Sequence, residues 1–136
     1  MNDEIIARID AAWDAFLPSL DGLSGDDAAR PGVAGYYSVK DILAHLAWWE
    51  DRTRETVESG SKEPVDVEPR NDQIYAEYQD ASFADMKQRL IDVHARARET
   101  FASTPNLTEA DVEDDTWGHW SEHGEQIRAW RAANGV

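Results

Sequence analysis

Apolar residues recur every three or four positions through most of this chain, the period of helices that bury one face. The first stripe, Ile5, Ile6, Ile9, Trp13, Phe16, Leu17 and Leu20, predicts helix one over residues 2–20, with Asn2 competent to cap it. From Asp21 to Tyr37 the breakers Gly22, Gly25, Pro31, Gly32 and Gly35 predict a loop. Ser38 followed by Asp41 resembles a capping box, with Asp where Glu or Gln is usual, and Ile42, Leu46, Trp49 and Val57 carry helix two as far as Ser59 and Gly60. The polar segment SKEPVDVEPR is long enough to return the chain to the other end of a bundle, and Asn71 is expected to cap a short turn through Tyr75 and Tyr78.

Ser82 with Asp85 repeats the start signal for helix three, carried by Phe83, Met86, Leu90, Val93, Ala97 and Phe101. Pro105 and the acidic run from Glu109 to Asp115 separate it from helix four, expected over about 116–133 and stopped by Asn134 and Gly135. No strand-like alternation and no internal repeat competes. The expected fold is therefore all-α: one four-helix-bundle domain over residues 1–136, with a long crossover between helices two and three.

Composition narrows the chemistry. The 136 residues are 41% hydrophobic and include 6 Trp, 4 Tyr and 3 Phe, enough for a packed core. The absence of cysteine excludes a disulfide framework, a thiolate metal site and a cysteine nucleophile. The N-terminal residues are acidic where a signal peptide needs basic ones, and no apolar run approaches a membrane span, so a cytoplasmic protein without a membrane partner is expected. With 28 acidic and 13 basic residues the net charge is -15, a field that repels phosphate backbones and argues against a nucleic-acid partner. An exposed Trp48 beside Trp49 hints at a homodimer contact.

The histidines carry the chemical signal. His119 and His123 are four apart on helix four, on the face that also holds Ile127 and Trp130, while Ser121, Glu125 and Arg128 point away. His45 falls between Ile42 and Trp49 on the buried stripe of helix two. Two accounts suit three inward imidazoles: polar core residues that hydrogen-bond one another, or ligands of one divalent ion such as Zn, Ni or Fe(II) with an open position for water or substrate. The metal account satisfies all three at once. His94 lies off the centre of the helix-three stripe and is expected to flank the surface or to hydrogen-bond, outside the ligand set. Glu50 and Glu122 are weak candidates to orient an imidazole or move a proton, although a solvated helix face explains most such carboxylates. Trp49 and Trp120 are read first as core and second as walls of a substrate pocket. Signatures of serine hydrolases, nucleotide-binding loops and HExxH proteases are absent.

Two helices resemble a known family. Residues 37–50, YSVKDILAHLAWWE, are similar to the WSVKDxLAHLxxWE helix of the DinB-like (YfiT-like) superfamily, and residues 115–130 resemble its NTxxHxxEHxxQIRAW segment. The resemblance implies a four-helix bundle with a long crossover between helices two and three, binding a divalent metal through one His of helix two and the HxxxH of helix four. Those positions are His45, His119 and His123. Relatives of this kind include thiol-dependent S-transferases, the N-terminal domain of mycothiol-dependent maleylpyruvate isomerase, and the ClbS/DfsB proteins that disarm a genotoxin. On that basis the expected activity is metal-dependent transfer of a low-molecular-weight thiol to a small electrophilic substrate, or its hydrolysis, in detoxification or stress response. The alternative is a non-catalytic bundle that binds a metal or a small ligand.

Overall fold

The computed structural model describes residues 2–136, and among them every regular element is a helix. α1 (Asp3–Phe16) buries Ile5, Ile9, Trp13 and Phe16 and tightens into a 3-10 turn over Leu17–Leu20. The segment expected to be a loop holds one helical turn, α2 (Gly25–Ala28), started by Ser24 accepting from the Asp27 amide. α3 (Val39–Ser59) opens on the expected capping box: the Ser38 hydroxyl accepts from Asp41 N and the Asp41 carboxylate from Ser38 N. It ends at Gly60, whose φ of 70° is the left-handed cap that glycine adopts without strain.

The crossover is itself helical. α4 (Val67–Glu77) begins four residues before Asn71, with Pro69 in its first turn, where the missing N–H has no partner to lose. Asn71 is thus not a cap; its Oδ1 accepts a 2.8 Å hydrogen bond from Trp49 Nε1. Only Ile74 of α4 is buried, so the helix writes almost no apolar stripe into the sequence. α5 (Phe83–Ser103) starts at Ser82 as expected and buries Met86, Leu90, His94, Ala97 and Phe101. The expected role of Asn2 also changes here. Its amide makes no cap on α1 but donates to the carbonyls of Phe101 and Thr104, tying the start of the chain to the open end of α5. A single turn, α6 (Glu109–Val112), and a π-helical turn over Asp114–Gly118 lead into α7 (His119–Asn134).

Cross-chain contacts set the directions. Lys40 meets Gln79 beside the start of α5, Glu50 meets His94, and Glu58 meets Thr100, so α3 and α5 run parallel. Arg98 bonds Asp10 and Trp13 stacks on His94, so α1 is antiparallel to α5; Arg8 lies over Trp117 and Arg131 donates to Ser19 O, so α1 and α7 are parallel. Two parallel neighbours cannot be joined by a tight turn, which is why the crossover carries the chain back along α3 as α4 before α5 begins. The four long helices close over Phe16, Leu43, Leu46, Leu90, Phe101, Trp120 and Ile127, all essentially without exposure, each contributing about 1.5–3 kcal/mol of transfer energy. No helix is long and apolar enough to cross a membrane. Trp48, expected to be exposed, is half-buried, edge-on to Trp49, with the Arg70 guanidinium 5.1 Å from its ring centroid.

Candidate metal centre

The backbone before α7 decides where two of the three histidines stand. Gly118 N donates to Glu113 O at 3.0 Å, five residues back, and Thr116 leaves helical geometry altogether at φ -122° and ψ -106°. One extra residue in a turn rotates everything after it by about 100° relative to an uninterrupted helix. Gly118 is required for this, because a Cβ there would sit 2.9 Å from the Glu113 carbonyl oxygen. Thr116, fully buried, satisfies its hydroxyl on Val112 O at 2.7 Å. The helix expected from about residue 116 therefore begins as α7 at His119.

His45 from α3 and His119 and His123 from α7 converge, with one ring nitrogen of each within 4.8 Å of the others. The Nε2 atoms of His45 and His119 are 3.3 Å apart. Tetrahedral zinc with Zn–N bonds of about 2.0–2.1 Å would hold two nitrogens about 3.3–3.4 Å apart, so the pair already has the edge length of such a site. A direct hydrogen bond between these nitrogens uses one proton, whereas an ion uses both lone pairs. His123 Nδ1 lies 2.7 Å from Gln126 Oε1, which can only accept; Nδ1 therefore carries the proton and Nε2 is left as a donor to metal. Burial, reinforced by the neighbouring imidazoles, lowers the pKa of His45 to about 4 and of His119 to about 3, so both are neutral at pH 7 as metal ligation requires. Nitrogen donors without thiolate or multiple carboxylates fit a borderline transition ion and not calcium.

A family description, the DinB superfamily, matches residues 8–134. The chain belongs to the DinB superfamily. Among curated proteins and solved structures, no match to it was found. DinB proteins are generally metal-binding, and in this member His45, His119 and His123 form a group that could hold a metal ion.

Around the histidines, this DinB chain adds a carboxylate that the spacing analysis passed over. Asp115 Oδ1 lies 3.5 Å from His119 Nδ1, at the outer edge of hydrogen bonding, while its Oδ2 accepts from the Thr53 hydroxyl at 2.7 Å. Burial raises the Asp115 pKa, opposed by the Thr53 hydrogen bond. His119 Nδ1 is buried and has no partner of good geometry, so Asp115 is the group placed to orient it. The available signal was its position one turn before His119, masked by the acidic run around it.

His45, His119 and Asp115 form part of the wall of an open cavity of about 700 Å³ that also includes Trp49, Asn71 and Val67. Trp49 is buried, as its first reading has it, and its remaining edge lines the cavity, the second reading. Trp120 has only the first: it is buried in the core, edge-on to Trp13 and to His94. Glu50 is not on a solvated face but fully buried, 2.8 Å from His94 Nδ1, and burial raises its pKa against the opposing effect of His94. It orients an imidazole, though not one of the converging three. His94, expected near the surface or in a hydrogen bond, has the bond and is buried with its ring stacked 3.9 Å from Trp13. Glu122 is exposed on α7 and joins neither group.

Proposed function

We propose that this DinB protein is a metal-dependent enzyme that transfers a low-molecular-weight thiol to a small electrophilic substrate, or hydrolyses it, in detoxification or stress response. The observation that carries the reading is that His45 and His119 line an open cavity of about 700 Å³, a volume in the range of small-molecule sites. A divalent ion held by His45, His119 and His123 would supply Lewis acidity, lowering the pKa of a thiol or water. The chain's own residues do the rest. His45, His119 and His123 present ring nitrogens from two antiparallel helices, Gln126 holds the ring of His123, and Asp115 faces the ring of His119. Trp49, anchored through Asn71, gives the substrate an apolar wall. Because the chain has no cysteine, a side-chain thiol is not the nucleophile.

The test begins with elemental analysis of purified protein, which is expected to carry about one equivalent of transition metal. A panel of thiols with an electrophilic acceptor then separates transferase from hydrolase by whether product forms without thiol. His119→Ala and His123→Ala should lose metal and turnover together. Turnover persisting in demetallated, still helical protein would overturn the proposal.

A further inference from the structure

The cavity at the histidines is lined by two cations, Arg52 and Lys62, that enter no salt bridge among the described residues. Arg52 stands seven residues after His45 on α3, a rise of about 10 Å along the helix. Its guanidinium lies 5.7 Å from the Trp49 ring centroid and donates to the Glu63 carbonyl. Lys62 lines the same cavity from the crossover. Among the described residues neither has a carboxylate within ion-pair distance, although Glu63, Asp114 and Asp115 line the same space and both cations act on Asp115 through longer-range attraction. Arg54, two residues further on, shows the contrast: it is buried and held by Asp51, Glu55 and Glu58. Trp49, Val65 and Val67 form the apolar part of the wall, with Val67 left 54% exposed, beside the polar Asn71, Asp114 and Asp115.

We propose that this cavity takes a ligand with an anionic end, a carboxylate or similar group, held by Arg52 and Lys62 about 10 Å along the helix from the histidine cluster. The ligand's middle is apolar and lies over Trp49, Val65 and Val67. Resting on the proposed function, the other end is the thiol or the electrophilic centre at the metal. In a chain of net charge -15 the overall field repels anions, but it is screened within about 8–10 Å at physiological salt, so local cations decide which charge enters the cavity.

Chain-matched probes test this on the full-length protein. Cobalt(II)-loaded protein is titrated with ω-mercaptooctanoate and ω-mercaptooctanol, read by visible absorption, and metal-free protein with octanoate and octanol, read by calorimetry. The carboxylate is expected to bind at least about ten-fold tighter than the alcohol, as one retained charged contact suggests. Arg52→Gln with Lys62→Gln should abolish the preference without changing cobalt uptake. A preference already present with octanoate shows that the anion subsite acts without the metal; one seen only with the mercapto pair shows that the thiol end must be seated at the metal first. Equal binding of acid and alcohol in both protein states, or a preference that survives the double substitution, overturns the inference. Failure to take up cobalt defeats the metal-dependent reading alone, and the octanoate titration then decides the anion subsite by itself.

Discussion

His94 Nδ1 and Glu50 Oε2 lie 2.8 Å apart at the centre of the bundle, with Glu50 at 0% exposure and the other face of His94 against Trp13. A buried pair of this kind adds little over an apolar pair, but removing one member strands the other. His94→Ala should therefore cost about 3–5 kcal/mol in denaturant unfolding while leaving metal content unchanged. Replacing both residues with leucine should recover most of that loss. A His94→Ala cost below about 1 kcal/mol would show that the pair is not a point of stability.

Stability of the metal-free protein should fall on mild acidification. The folded-state pKa values of His45 and His119, lowered to about 4 and about 3, lie below the unfolded value, so the unfolded chain binds more protons between there and about 6.5. The stabilisation is complete above about pH 6.5 and is lost as pH falls through the folded values, on the order of 3 kcal/mol for His45 alone. Urea midpoints at pH 6.5 and pH 5, where ordinary carboxylates remain largely ionised, should differ in the wild type and differ less in His45→Gln/His119→Gln. Coincident profiles would sink the argument.

Asp115 is expected to tune metal affinity without holding the fold. Asp115→Ala removes the carboxylate 3.5 Å from His119 Nδ1 and should weaken zinc binding by about 10–100-fold in chelator competition, with helicity retained. Thr53→Val, which frees Asp115 from its 2.7 Å anchor, should weaken it less. Affinities within about two-fold of wild type for both variants would remove Asp115 from the site.

Gly118→Ala places a Cβ 2.9 Å from the Glu113 carbonyl oxygen, a backbone atom that cannot swing aside. The expected result is about 1–3 kcal/mol of destabilisation, accompanied by weaker metal uptake as the start of α7 shifts. Gly25→Ala is the control, since nothing lies within 4 Å of its added Cβ. Equal behaviour of the two variants in thermal unfolding and metal titration would refute a special role for the π-helical turn.

The long helices were legible from the chain alone because each buries one continuous stripe: Ile42, Leu46 and Trp49 on α3, and Met86, Leu90, Ala97 and Phe101 on α5, mark their own core faces. Ser38 with Asp41 and Ser82 with the Asp85 amide mark the starts, since capping is a contact between residues three apart. The inward placement of His45, His119 and His123 could be reached the same way, from 100° steps on two helices. What the linear pattern did not carry lies between elements. α4 buries little beyond Ile74 and so has almost no stripe to read; Asn2 and Asn71, both capping types, bond instead to partners brought by other helices. Asp115 looked like a member of an acidic run, and Glu50 like a weak candidate to orient an imidazole against a solvated helix face; only packing against Thr53, His119 and His94 set them apart. The turn at Thr116 and Gly118, the pairing of Glu50 with His94, and the cavity bearing Arg52 and Lys62 were decided by the tertiary structure. Periodicity and caps are short-range properties that one helix expresses by itself, whereas an ion pair, an orienting contact or a cavity wall exists only after helices distant in sequence have met.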